Sequence, residues 1–361
     1  MKILHTEASC GWGGQEIRIL EEARGLIGRG HEVSIACPQH ARIAEEAPRF
    51  GVPITPLPIE FKTLAGFFAL RKHIASLRPQ VVNSHSSADS WLTALACATI
   101  SQPPSIVRTR HISAKVAGNP FNQWLYRSAT AVVTTGLSLR RHLIERLALE
   151  PSRVRSIPTG IDMQRFAPSD KEAARQALGL DPSHRYIGIV ATLRSWKGHL
   201  FLLDAFARLK RPDLRLVIVG DGPLRGPIEE RVAALGLADR IVLTGQRNDP
   251  ERWLPALDIF CLPSYANEGV PQALLQAMAC RLPIVTTPVG AILEAVTDGE
   301  SALVVPPKDS VALADALERL LDNPGLAGAL GAKAYGRANA DYSLPTMLDG
   351  METTFAIAAS Q

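Results

Sequence analysis

The chain has 361 residues, 46% hydrophobic and 20% charged, with a formal net charge of +4. That profile is that of a soluble globular protein and excludes a disordered chain, and the length exceeds one ordinary core, so two domains are expected. Five scattered cysteines (Cys10, Cys37, Cys97, Cys261, Cys280) without CxxC spacing indicate neither a disulfide framework nor a thiolate metal site and fit a reducing cytoplasm.

The N-terminus "MKILHTEASC" lacks the apolar core of a signal peptide, and no run reaches the roughly 18 apolar residues of a membrane span. A cytoplasmic protein is therefore expected. Residues 1–163 carry 19 Lys and Arg against 12 Asp and Glu, which leaves 20 against 23 for the remainder. The basic half suits an anionic surface or acidic partner; a nucleic-acid partner is not expected.

"KILHTE" reads as a strand, "ASCGWGG" as a turn, and "QEIRILEEARGLIGRG" as a helix, with Ile17, Leu20, Ala23 and Ile27 at helical spacing. Gly30 closes that helix and "HEVSIAC" opens the next strand, a βαβ unit that implies a parallel sheet. Further strands are predicted at "PQVVNSH", "PSIVRTR", "TAVVTTG" and "RVRSIPTG". The rhythm restarts at "RYIGIVATL" and runs through "LRLVIVGDG", "RIVLTG", "LDIFCLPS", "PIVTTP" and "ALVVPP". Each half reads as a doubly wound α/β domain, joined at "IPTGIDMQRFAPSD", so the expected domains are 1–163 and 164–342. Ligands of such sheets bind beyond the carboxyl ends of the strands.

In "NEGVPQALLQAMACRLP" the lone Glu268 stands in a Gly/Pro turn before an apolar helical run. Pro271 suits the first helical position, leaving the N–H groups of Gln272 and Ala273 without intrahelical partners at the positive end of the helix, where a diphosphate would sit. Glu268 must then serve something other than the phosphate, and sugar hydroxyls, which donate to carboxylates, are the natural partner. "ATLRSWKGH" adds Arg194 and Lys197 after a strand, cations able to neutralise a diphosphate. Two glycine loops follow other strands, one at Gly11, Gly13 and Gly14 and one in "GDGP" at residues 220–223.

The succession "GWGGQE", "RTRH", "VATLRSWKGH", "VIVGDGP", "SYANEGVPQALLQAMA" and "PVGAILEAVTDGESALVVPP" resembles glycosyltransferase family 4 over nearly the whole chain. The resemblance implies a GT-B fold, two Rossmann-like domains facing each other across a cleft, and retaining transfer of a hexose-type sugar from a nucleoside diphosphate sugar. It implies that Glu268 binds donor-sugar hydroxyls, that His111 lies near the sugar's primary hydroxyl, and that Lys197 faces the diphosphate, which Arg194 could also reach. Gly13, Gly14, Gly222, Gly269, Val270, Gln272 and Ala273 would surround the donor. Gln276 stands where the family has the Glu that holds the ribose, and Thr192 where it usually has Arg. Arg194 lies two positions on, and in a strand that shift would keep the same face. No DxD sequence occurs, so no metal and no separate cofactor are expected. The alternatives left open are a GT-B-shaped sugar-nucleotide epimerase and a non-catalytic sugar-nucleotide-binding homologue. "GWGGQE" lacks the full GxGxxG pattern of a dinucleotide oxidoreductase.

The N-terminal half is assigned to the acceptor, a surface polysaccharide, lipopolysaccharide or glycolipid, with His85, Ser86, Ser87 and Asp89 of "NSHSSADSW" as candidate contacts, although a plain capped helix start explains Ser87 or Asp89 equally well. Residues 61–78, "FKTLAGFFALRKHIASLR", combine Leu64, Phe67 and Phe68 with Arg71, Lys72 and Arg78. A helix of that composition either packs on the sheet or lies on an anionic inner-leaflet membrane surface. Residues 343–361 are expected as a terminal helix that crosses back to the first domain.

Overall fold

In a computed structural model, which describes residues 1–361 except 112, 113, 115 and 267, the chain forms two compact units, Met1–Gly160 with Leu344–Gln361, and Ile161–Ser343. Each is a parallel sheet with helices on its faces.

The first sheet contains β1 (Lys2–Thr6), β2 (Glu32–Cys37), β3 (Ile54–Pro56), β4 (Val81–Ser84), β5 (Ser105–Arg110), β6 (Ala131–Thr134) and β7 (Val154–Ser156). Its order is β3-β2-β1-β4-β5-β6-β7. The order reverses between β1 and β4, and such a switch point leaves a crevice at the strand ends. In register, His5 of β1 lies opposite Asn83 of β4, and Asn83 opposite Val107 of β5. That pairing decides which of the following loops become neighbours.

Helix Leu344–Ala359 closes the first core: Met347, Leu348, Met351 and Phe355 pack among Ile3, Ile19, Leu20 and Val107. A Cβ on Gly25 would stand 2.4 Å from Leu348 Cδ1, so the bare glycine is what lets helix Gly14–Gly28 approach this closely. Arg29 adds an ion pair to Glu352, and Ser105 Oγ donates to the Ala358 carbonyl at 2.7 Å.

The second sheet contains β8 (Arg185–Val190), β9 (Leu214–Val219), β10 (Ile241–Gly245), β11 (Ile259–Leu262), β12 (Ile284–Thr286) and β13 (Leu303–Val304), in the order β10-β9-β8-β11-β12-β13. Its inner strands are mainly apolar because helices cover both faces: Ile187, Ile189, Leu216, Val217, Phe260 and Ile284 are all buried. The switch point falls between β8 and β11, so the loops after those two strands flank it. No helix among the described residues is long and apolar enough to cross a membrane.

Candidate functional site

In the second unit the loop after β8 carries Lys197 and the loop after β11 carries Glu268. Lys197 Nζ donates to Glu268 Oε1 at 2.7 Å and to Oε2 at 3.0 Å, and Ser264 Oγ donates to Oε1 at 2.6 Å. Glu268 is buried and Lys197 half-buried. The geometry places the carboxylate four residues before helix Gln272–Ala279. The first N–H of that helix to bond within it is that of Leu274, to the Pro271 carbonyl at 3.1 Å, so the N–H groups of Gln272 and Ala273 precede the ladder. Pro271 itself is the N-cap, one position earlier than expected.

Gly290, which the sequence reading did not single out, holds this corner together. Its φ is +63, and a Cβ there would stand 2.0 Å from the Glu268 carbonyl oxygen. Ser264 was also missed; both lie in loops whose partners only the strand order reveals. A Cβ on Gly222 would meet Leu193 N at 2.9 Å and O at 2.8 Å. Its bareness admits the neighbouring loop 191–194. Gly269 is half-buried, Val270 belongs to the core, and Gln276 is buried on the helix.

Arg194 requires a correction. β8 ends at Val190, so Thr192 and Arg194 lie in a loop where the two-residue alternation of a strand does not hold. The Arg194 guanidinium is exposed and rests 5.3 Å from the centre of the Trp196 ring, next to Lys197 in sequence.

In the first unit Gly13 is the N-cap of helix Gly14–Gly28, and Gly13, Gly14, Ser86, Ser87, Arg108 and His111 line a cavity of about 410 Å³ with His85. Arg108 is buried with its guanidinium 4.4 Å over the Tyr126 ring. Asp89 does not face this cavity; of its two expected parts it takes the one at the capped helix start. It is fully buried, and its oxygens accept from Ser86 N at 2.9 Å, Ser86 Oγ at 2.7 Å, His85 N at 2.9 Å and Thr6 Oγ1 at 2.9 Å. It is the N3 member of the capping box of helix Ser87–Cys97, whose N-cap is Ser86, a use that saturates the carboxylate.

Behind the cavity wall runs a row of imidazoles. His111 Nε2 is 2.9 Å from His85 Nδ1, and His85 Nε2 is 2.9 Å from His5 Nδ1. Burial pushes His5 down to about 3. Burial also holds His85 and His111 well below the usual histidine value, helped by the charges of neighbouring histidines and of the fully buried Arg18. Beside the row, Glu7 is raised to about 8 by burial and by the Asp89 charge, although Ser9 N donates to it at 2.7 Å. None of these partners was visible in the sequence: His5, His85 and His111 are far apart along the chain and meet only because β1, β4 and β5 are adjacent.

The residues best able to hold a metal ion among those described are Cys10, His40 and Glu60, with Cys10 Sγ 3.4 Å from His40 Nε2, which is 3.2 Å from Glu60 Oε2. They come from three separate loops with no sequence signature. The His40 side chain is 67% exposed, and the Cys10 thiol is pushed up by burial and by Glu60. That setting suits a surface contact between His40 and Glu60 with a protonated thiol beside it.

Two parallel-sheet α/β units, one with a Lys and Glu pair beside a helix N-terminus at its switch point, define a glycosyltransferase of the GT-B class. Residues 184–323 match the family model "Glycosyl transferases group 1", and residues 12–165 match "Glycosyltransferase Family 4". The chain belongs to glycosyltransferase family 4. It is 36% identical over 195 residues to the lipopolysaccharide core biosynthesis mannosyltransferase LpsB of Rhizobium meliloti, over 51% of this chain and 55% of that protein. The chain thus spans about half the length of that relative. It is 31% identical over 283 residues to the alpha-D-kanosaminyltransferase of Streptomyces kanamyceticus, covering 74% of this chain and 67% of that enzyme. The crystal structure of Anabaena Alr3699/HepE in complex with UDP superposes with a TM-score of 0.84 at 20% identity, covering 99% of this chain and 100% of that one.

Proposed function

We propose that this protein transfers a hexose-type sugar from a nucleoside diphosphate sugar, with retention at the anomeric carbon, to an acceptor of surface polysaccharide, lipopolysaccharide or glycolipid assembly. The observation that carries the donor side is the Lys197–Glu268 pair at the second unit's switch point, next to the unpaired N–H groups of Gln272 and Ala273. The named activity of the Rhizobium meliloti relative supports the lipopolysaccharide reading, and UDP in the Anabaena structure supports a nucleotide donor.

In this reading the charge that grows during transfer is on the departing diphosphate. Lys197, Arg194 and the N-terminus of helix Gln272–Ala279 stabilise it by fixed electrostatics, so that no divalent metal is required. Glu268 accepts from sugar hydroxyls and keeps Lys197 in place until the phosphates arrive; Ser264 fixes the carboxylate's orientation. Gln276 accepts from the ribose more weakly than a carboxylate would. In the first unit the cavity at Gly13, Gly14 and His111 receives hydroxyl or phosphoryl oxygens, and the outward-facing Phe61, Leu64 and Phe68 rest on an anionic membrane surface.

A panel of uridine and guanosine diphosphate sugars, assayed with and without EDTA and with a lipid-linked or lipopolysaccharide acceptor, tests this. Release of nucleoside diphosphate matched by a glycosylated product of unchanged anomeric configuration is expected. Conversion of the donor sugar with no acceptor consumed would indicate an epimerase instead.

A further inference from the structure

A neutral imidazole has one N–H and one lone pair. His85 spends both of its ring nitrogens inside the row, Nδ1 towards His111 Nε2 and Nε2 towards His5 Nδ1, each at 2.9 Å. It can donate in only one direction and must accept in the other. The tautomers are therefore linked: all three rings carry hydrogen on Nε2, or all three carry it on Nδ1. The rings of His5 and His85 are stacked at 5.2 Å with planes 9° apart, and those of His85 and His111 are 5.1 Å apart. None of the three can turn away without losing packing.

The inner end of the row selects between the two states. His5 Nε2 is buried with no partner, and Phe355 stands edge-on 6.3 Å away. A hydrogen there would be a stranded donor, the rarer defect in folded proteins, whereas a lone pair in the same place is the lesser loss. The favoured state thus has hydrogen on Nδ1 throughout, with Nε2 of His85 and of His111 accepting and Nε2 of His5 left as the unpaired lone pair. His111 then receives a hydrogen bond from His85 and carries its own hydrogen on Nδ1, the ring nitrogen that the row leaves free.

We propose that His85 and His5 are positioning residues that lock His111 in the Nδ1–H tautomer, so that at the cavity it is a hydrogen-bond donor to a hydroxyl or phosphoryl oxygen and never a base. A proton taken up at His111 has no outlet, because the row ends in a ring that burial holds at about 3. The row fixes a hydrogen rather than moving one. The lock itself is a property of the unliganded protein; its bearing on transfer rests on the function proposed above.

Long-range ¹H–¹⁵N correlation spectra of the full chain labelled at histidine, recorded at neutral pH without substrate, read the tautomers directly. The expected pattern is neutral Nδ1–H for His5, His85 and His111, assigned through single-site variants. Nε2–H or a tautomer mixture at His111 overturns the lock. His85→Phe removes both bonds and should release His111 into a mixture. His85→Asn leaves an amide donor where Nδ1 stood and should restore the single tautomer. An unchanged His111 spectrum in His85→Phe refutes the proposal. In transfer assays His85→Phe should lower kcat about 10–100-fold, the loss typical of an orienting partner, with donor KM within about twofold and recovery in His85→Asn. Locked tautomers together with undiminished kcat in His85→Phe would refute the link to transfer while leaving the lock in place.

Discussion

Lys197 Nζ stands 2.7 Å from Glu268 Oε1 and 3.0 Å from Oε2, so the cation and the acid of the donor corner hold one another before any ligand arrives. The pair is only partly exposed, and a charge left behind by losing its partner there is costly. This makes the two substitutions unequal. Lys197→Ala strands the buried Glu268 carboxylate with the Ser264 hydroxyl and removes the support for the leaving diphosphate. Its turnover at saturating donor should fall by ~100-fold or more. Glu268→Gln keeps a polar group beside Ser264 and frees the ammonium, so it should act mainly on the sugar, raising donor KM by about 10-fold. Near-wild-type kcat in Lys197→Ala would remove the leaving-group role.

Gln276 gives a prediction with two readouts of opposite sign. Its side chain is buried on the helix that follows Glu268. Gln276→Glu places a carboxylate in that position, which should strengthen the ribose bond from ~1 kcal/mol towards roughly 1.5–3 kcal/mol. Calorimetry should show tighter nucleotide binding, while the melting temperature of the unliganded variant falls because an ionised group is buried without a partner. Weaker nucleotide binding would contradict the assignment of Gln276 to the ribose.

The strands were legible because parallel strands covered on both faces read as short apolar runs between turn signals. One part of the donor corner was legible because Glu268, Pro271 and Gln272 lie inside one turn and helix start, whereas Lys197 reaches Glu268 from 71 residues away. What remained hidden depends on strand order. His5, His85 and His111 form a row only because β1, β4 and β5 are neighbours, and Gly290 matters only because its loop lies against the Glu268 carbonyl. The alternation argument for Arg194 failed because the strand stops at Val190, and no local pattern marks that stop. Asp89 resembled a ligand-facing acid because a capping carboxylate and a binding carboxylate have the same local sequence.

The buried ionisable groups of the first unit make its stability depend on pH in both directions. His5 has its value lowered from 6.5 to about 3, so the folded state binds fewer protons than the unfolded chain between those values. Stability is full above 6.5 and is lost as the pH falls towards 3. Glu7 is raised from 4.5 to about 8, so the folded state holds more protons in that window and stability declines as the pH rises through it. Each group can contribute a slope of up to about 1.4 kcal/mol per pH unit. Melting temperatures measured from pH 4 to 9 should fall at both ends, less steeply in acid for His5→Gln and less steeply in base for Glu7→Gln. Parallel curves for wild type and both variants would show that these groups do not set the dependence.

Helix Leu64–Leu77 has two apolar stripes with different fates. Gly66, Leu70 and Ile74 are buried, and Phe67 packs on the same core. Leu64 and Phe68 point outward with the preceding Phe61, at 78%, 63% and 66% exposure. Core packing therefore explains one stripe and leaves the other in water, beside Lys62 and Lys72 and on the basic half of the chain. Arg71 is less available, since it ties the helix to Thr99 through bonds of 2.9 and 3.0 Å. A monolayer-depth contact of this kind combines apolar burial with attraction to anionic lipid, at about 1 kcal/mol per basic residue near the surface. Co-sedimentation with vesicles should thus be strong with acidic lipid at low salt and weak with neutral lipid. Phe61→Ser combined with Phe68→Ser should abolish it while leaving the melting temperature nearly unchanged, because neither side chain supports the core. Binding that survives the double substitution would place the membrane contact elsewhere, and no binding at low salt would remove it altogether.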